Sequence, residues 1–251
     1  MQIVLIGSGN VATVLGRLFK HAGHKIVQVI SRDITHAHVL AAELGAIASD
    51  FKTMPEDNSD VVIFTVSDDV LYNNSHHFII KDKLVLHTAG AASKEILQKF
   101  STRYGVLYPL QSIKKEIMPV VDIPFLIDGN TEEVIHEVSQ LALSISNTVS
   151  RETDEKRLVL HTAAVMVNNF TNHLYTLAED LCKQEGVDFN LLKPLIMETA
   201  KRIHEHSPSE LQTGPALRKD IHTLDKHLRL LSAYPKIRTM YLRITDSIMN
   251  P

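Results

Sequence analysis

The sequence predicts a doubly wound parallel α/β sheet followed by an all-α C-terminal domain, on three observations. Short apolar strands alternate with helical periodicities through 1–150. A glycine-rich turn joins the first strand to the first helix, and beyond Arg151 strand patterns give way to long helical ones. With 44% hydrophobic and 22% charged residues, 251 positions hold one large domain or two modest ones. A net charge of -3 gives no reason to expect nucleic acid. The single Cys182 cannot form an internal disulfide, and Met1 opens no basic leader, so a cytoplasmic protein is expected. No apolar run approaches the roughly 18 residues of a membrane span.

Met1 to Ile6 reads as a strand, Gly7-Ser8-Gly9-Asn10-Val11-Ala12 as a tight turn, and Val11, Val14, Leu15, Leu18 and Phe19 as one face of a helix. In such a turn the first Gly allows a sharp bend and the second lets backbone approach a pyrophosphate. A small third position, here Ala12, packs helix on strand. The helix beginning near Asn10 points free N–H groups and its positive dipole end at the phosphates. A dinucleotide site is therefore expected at Gly7, Ser8, Gly9, Asn10 and Val11.

The next elements follow the same alternation. Lys25 to Ile30 is a strand, Asp33 to Leu44 a helix stopped by Gly45, and Ala46 to Ala48 a short strand. Asp60 to Val66 is a buried strand with Ser67-Asp68-Asp69 capping the helix after it, and Leu84 to His87 another strand. Ser93 to Phe100 reads as helix, Gly105 to Tyr108 leads into Pro109, Pro124 to Asp128 is a strand, Thr131 to Leu143 a helix, and Asn147 to Ser150 an edge strand. The nucleotide-binding domain closes at 150.

Residues 151–251 form the second, helical domain. Thr153 to Lys183 contains neither Pro nor Gly and reads as one helix of about eight turns, ended by Gly186. Helices over Asn190 to His206, Pro215 to Leu231 and Pro235 to Met249 complete it. So small a helical domain around one long helix is expected to bury its apolar surface in a homodimer. The competing reading packs it only on its own nucleotide domain.

The end of the second strand selects the dinucleotide. An NAD site places Asp or Glu there for the ribose 2′-OH, whereas a 2′-phosphate needs a cation and hydroxyls. Ser31 and Arg32 stand at that place, which favours NADP. The alternative makes Arg32 a solvated charge and Asp33 the ribose partner, although Asp33 is equally explained as a helix N-cap.

With the GxGxxA turn, the Ser31-Arg32 pair and a helical C-terminal domain in this order, the chain resembles the 6-phosphogluconate dehydrogenase-like superfamily. Three stretches, His87-Thr88-Ala89-Gly90-Ala91, Tyr108-Pro109-Leu110-Gln111-Ser112 and Thr213-Gly214-Pro215-Ala216-Leu217-Arg218, are similar to a subgroup of NADP oxidoreductases within it. The resemblance implies a Rossmann-type domain and NADP as cofactor. Val66 and Ser67 then match the stretch lining the nicotinamide ribose, and His87, Thr88, Ala89 and Gly90 lie on the rim of the sheet where ligands of open α/β folds bind. His87 reads equally as a strand-end residue bonded to nearby backbone.

The chain departs from the superfamily in its long helix. β-Hydroxyacid dehydrogenases carry a catalytic Lys three residues before an Asn-Asn pair, and in Val165-Met166-Val167-Asn168-Asn169 that place is held by Val165. A valine moves no proton. His161, at i−4 on the same face, carries an imidazole, a side-chain type suited to proton transfer, and is a candidate general acid; the bland reading is a partly buried His on a polar spot. Asn168 is a second catalytic candidate that orients substrate, with Gln111 and Asn169 as substrate contacts.

No metal site is expected. Of fourteen His, the pairs His36-x-His38 and His204-x-His206 face different ways on a helix, His76-His77 has no carboxylate or Cys around it, and no HExxH or CxxC occurs. Neither GxSxG nor P-loop is present, so hydrolysis and phosphoryl transfer lack support. Two classes remain: an NADP-dependent oxidoreductase reducing a small carbonyl or imine, and a non-catalytic NADP(H)-binding sensor or scaffold.

Overall fold

The computed structural model describes residues 1–73, 78, 80–117 and 122–250; the His76-His77 pair lies outside them. Close packing divides the chain into two units, Met1–Asn168 and Asn169–Pro251. The sheet ends at Arg151, and the helix that follows packs with the first unit.

Eight strands form one sheet: β1 (Gln2–Ile6), β2 (Lys25–Ser31), β3 (Ile47–Asp50), β4 (Val61–Phe64), β5 (Lys81–His87), β6 (Ser101–Pro109), β7 (Phe125–Gly129) and β8 (Val149–Arg151). Their order is β3-β2-β1-β4-β5-β6-β7-β8. The first six run parallel in the 3-2-1-4-5-6 order of a Rossmann sheet, with the topological switch between β1 and β4. Apolar residues on both faces explain the unbroken runs: Ile3, Leu5, Val61 and Ile63 enter one core cluster, Val4, Ile6, Val62 and Phe64 the other.

Helices α1 (Asn10–His21), α2 (Ile34–Leu44), α3 (Asp68–Asn73) and α4 (Glu132–Leu143) agree with the sequence periodicities. Asp33 caps α2, accepting from the Thr35 N–H at 2.9 Å, and Gly45 ends it in the left-handed region. Thr131 caps α4 in the same way.

Three expectations need correction. The Ser93 to Phe100 helix is only a 3₁₀ turn, Lys94–Leu97, capped by Ser93. β7 pairs antiparallel with β6 rather than parallel; a parallel partner needs a crossover element, and the described residues between them hold no helix. α4 is such an element, and β7 and β8 are parallel. The expected single helix is α5 (Asp154–Ala164), a π-helical segment (Val165–Phe170) and α6 (Thr171–Gln184). Two β-branched valines and the Asn pair, all weak α-formers, fill the widened segment.

The second unit holds α6, α7 (Lys193–Arg202), α8 (Pro208–Leu211), α9 (Ile221–Leu230) and α10 (Pro235–Met249). Only Ala216, Leu224 and Leu231 are buried hydrophobics in this unit among the described residues. A cavity of about 550 Å³ opens among Leu177, Leu181, Leu231, Met240 and Ile244, with His227 Nδ1 and the Tyr241 hydroxyl 2.7 Å apart on its wall.

Candidate functional site

At the carboxyl end of β1 the chain bends through Gly7, whose φ of 126° excludes ordinary side chains, and whose N–H bonds the Ile30 carbonyl at 2.7 Å. A Cβ on Gly7 would also lie 2.6 Å from the Thr65 carbonyl oxygen of the switch-point neighbour. Above Gly9 there is open space, Ala12 is fully buried against the sheet, and no side chain caps the N-terminus of α1. The free N–H groups of the first turn thus face an open approach at the switch point, a fit to a pyrophosphate. Ser8 and Ser31 share a 2.8 Å hydroxyl contact that joins this turn to the end of β2. Arg32 is exposed beside it and has no ion-pair partner among the described residues, while the Asp33 carboxylate is engaged in capping α2. Cation and hydroxyl at this place fit a 2′-phosphate.

Val66 and Ser67 follow β4 on the same rim, half-buried and exposed respectively. Thr88, after β5, donates to the Phe64 carbonyl at 3.3 Å and is buried, as are Ala89 and Gly90. His87 is fully buried; its Nδ1 accepts from the Ala89 N–H at 3.1 Å, and Nε2 lies near the Ser93 backbone without a well-formed hydrogen bond. Its local role is to shape the 87–90 turn.

Burial, reinforced by the nearby Arg157 cation, pushes the His87 pKa from the ordinary 6.5 down to about 3. The unfolded chain therefore binds one more proton than the folded one between those values. The stability contributed by neutral His87 is complete above about pH 6.5 and is lost as the pH falls toward 3, at about 1.4 kcal/mol per pH unit. Urea titrations at several pH values should show that slope, and His87→Leu should flatten it. An unchanged slope in the variant would show that the ring is hydrated when folded.

His161, on α5, is brought to this rim. Its Nδ1 lies 2.8 Å from the Tyr108 hydroxyl at the end of β6, with the two rings edge to face at 5.7 Å. Gly90 makes that approach possible, because a Cβ there would sit 2.5 Å from His161 Nδ1. Gly90→Ala should consequently separate His161 from Tyr108 and give a well-folded protein with altered His161 ring resonances; an unchanged spectrum would show the ring can move aside without cost. Burial raises the Tyr108 pKa, and the Asp68 carboxylate adds to this against the opposing Arg157 charge, so the phenol keeps its proton and its hydroxyl can either donate to Nδ1 or accept from Nδ1–H.

The remaining candidates are exposed. Gln111 is exposed, with its own side-chain oxygen accepting from the Ser112 N–H at 2.9 Å. Asn168 is an exposed residue in the π-helical segment, and Asn169, also exposed, belongs to the second unit. Conversely, Tyr108, Arg157 and Asp154 were not singled out by sequence. Arg157 is 0% exposed, yet in the sequence it is one more cation in the first turns of a helix beginning Asp154-Glu155-Lys156. Among the described residues no group of three His, Cys, Asp or Glu is arranged to hold a metal ion, and no helix is long and apolar enough to cross a membrane.

Residues 2–89 match the family described as NADP oxidoreductase, coenzyme F420-dependent, and residues 123–248 match a domain of unknown function, DUF2520. The Bacteroides fragilis protein known as "putative NADP oxidoreductase BF3122" is 34% identical over 100% of this chain and 98% of its own, with a TM-score of 0.88. Protein TM1727 of Thermotoga maritima is 25% identical over 98% and 97% of the two chains, with a TM-score of 0.79. A reductive aminase from Aspergillus terreus, in complex with NADPH and ethyl-5-oxohexanoate, shares the fold at 15% identity and a TM-score of 0.67, over 98% of this chain and 94% of its own. No curated protein matches the sequence. The chain belongs to the family that joins an NADP-oxidoreductase nucleotide domain to a DUF2520 domain.

Proposed function

We propose that the protein is an NADPH-dependent reductase of a small carbonyl or imine compound, working as a homodimer. The observation that carries the reading is the Tyr108–His161 pair, a 2.8 Å contact on the same sheet rim as the glycine turn. In this reading the backbone of Gly7 to Val11 holds the pyrophosphate, Ser31 and Arg32 hold the 2′-phosphate, and Val66, Ser67 and the Thr88 to Gly90 turn border the nicotinamide end. Bound NADPH supplies the hydride. His161, as the imidazolium, gives its Nε2 proton to the oxygen or nitrogen that gains charge and is left as the neutral ring, while the Tyr108 hydroxyl oxygen accepts from Nδ1–H and holds the ring in place. Asn168, Gln111 and Asn169 are assigned to substrate, as hydrogen-bonding groups rather than proton donors.

Val165 supports a second reading, a dinucleotide-binding sensor without turnover, since it supplies no proton where relatives in the superfamily carry Lys. Screening small keto acids, aldehydes and cyclic imines for NADPH absorbance loss separates the two. A turnover hit whose rate drops on Tyr108→Phe supports the reductase. Tight NADPH binding with no hit across the panel, together with a ligand-bound structure placing His161 away from the nicotinamide, would replace it with the sensor.

The dimer is supported by apolar side chains left in water: Val159 is 68% exposed, Val167 74%, Leu191 72% and Met197 69%. Large apolar side chains left exposed on the helices of each unit support an association surface that would cover them. Sedimentation should give a mass near twice 28.1 kDa, and Val167→Asp should shift it toward a single copy. A monomer at micromolar concentration in the unmutated protein would sink the assignment.

A further inference from the structure

We infer that Arg157 and Asp154 are positioning residues, a buried clamp that sets His161 against Tyr108. The consequence for turnover rests on the reductase reading above; the positioning itself does not. Asp154, Arg157 and His161 fall at i, i+3 and i+7, one stripe along α5. Arg157 donates from Nε to the Gly90 carbonyl at 3.3 Å, from Nη2 to the Ala92 carbonyl, and from Nη1 to Asp154 at 2.8 Å. Asp154 in turn accepts from the Ser93 hydroxyl at 2.5 Å and the Lys94 N–H at 3.1 Å. The first turns of α5 are thereby joined to 90–94 by four hydrogen bonds from two side chains, which the Arg157–Asp154 bond ties to each other.

Burying a cation is costly even when it is paired, and a well-packed apolar side chain often serves stability as well. What an apolar residue cannot do is fix the rotation of a helix against a loop. Gly90 receives both ends of the arrangement: its carbonyl takes the Arg157 Nε–H, and its Cα faces the His161 ring. Turning Gly90 or sliding α5 would break the Arg157 bonds before it displaced His161. Arginine is needed because its planar fork serves three acceptors in different directions, whereas a lysine ammonium on a flexible stem does not reproduce that fork. Asp154 keeps the fork oriented, and its carboxyl is held below the ordinary range: burial opposes the charge, but Ser93 and Arg157 bonds outweigh it.

Two-dimensional ¹H–¹⁵N spectra of the histidine side chains test this without substrate or cofactor. The His161 signals are those lost in His161→Ala, and Tyr108→Phe shows their position when the Nδ1 bond is gone. Arg157→Lys and Asp154→Asn are expected to move His161 to the Tyr108→Phe position, while Glu132→Gln, which breaks an exposed pair with Arg151, leaves it unmoved. A residue that served stability alone would lower the melting temperature without touching these signals. If Arg157→Lys fails to fold, the near-isosteric Asp154→Asn decides. Unshifted His161 signals in the folded variants overturn the clamp. With a substrate in hand, kcat should fall about a hundredfold, the scale of a misplaced catalytic group, with KM for NADPH unchanged. Shifted signals with undiminished kcat would leave the clamp standing and remove His161 as the acid.

Discussion

Replacing His161 with alanine is expected to slow turnover about a hundredfold or more while leaving NADPH affinity unchanged, the scale of a positioned general acid. The separation of effects follows from placement. The phosphate-facing turn is at Gly7 to Val11, after β1, whereas His161 packs on Gly90 and Tyr108, after β5 and at the end of β6. Tyr108→Phe should show a smaller loss in the same direction, because the ring survives but loses the hydroxyl that holds Nδ1. Stopped-flow measurement of NADPH oxidation, with affinity from fluorescence titration, gives both quantities. Equal loss of kcat and affinity would mean that His161 supports the site as a whole; no loss would leave the substrate to be protonated by water or to arrive already as an iminium.

Arg32→Ala is expected to remove most of the preference for NADPH over NADH. A charge-assisted contact to phosphate is worth roughly 1.5–3 kcal/mol, about ten- to a hundredfold in affinity. Arg32 stands exposed at the end of β2 beside Ser31, so the substitution leaves no buried group unpaired. NADH binding should scarcely change, since the 2′-OH offers the guanidinium no charge. Asp33→Asn should in turn affect α2 more than cofactor choice, because that carboxylate accepts from the Thr35 N–H. Equal NADPH and NADH affinities in the unmutated protein would overturn the role given to Arg32.

The glycine turn, the strand and helix sequence of the first unit and the Asp33 cap were legible because each is decided within a few residues. Gly7 needs a positive φ whatever surrounds it, and an Asp before an apolar periodicity caps its own helix. The π-helical segment was not legible. Val165 to Phe170 is free of Pro and Gly and continues the apolar spacing of the helix before it, so it resembles any α-helix, and past Val165 counting in α-turns no longer tells which residues share a face with His161. Asn168 was taken from the superfamily's Asn-Asn pair, and the widened segment now carries it.

By itself, then, the sequence determined a Rossmann-type α/β unit with a glycine turn after its first strand and Arg32 at the end of its second, followed by a helical unit. Tertiary structure alone decided that Tyr108 meets His161 across 53 positions, that Arg157 is an interior cation rather than a surface one, and that β7 runs against β6. The reason is the range of the forces. Backbone sterics and capping act within a turn, whereas burial of a charge, ring contact and strand direction depend on which distant segments close on one another, and local spacing carries no record of that.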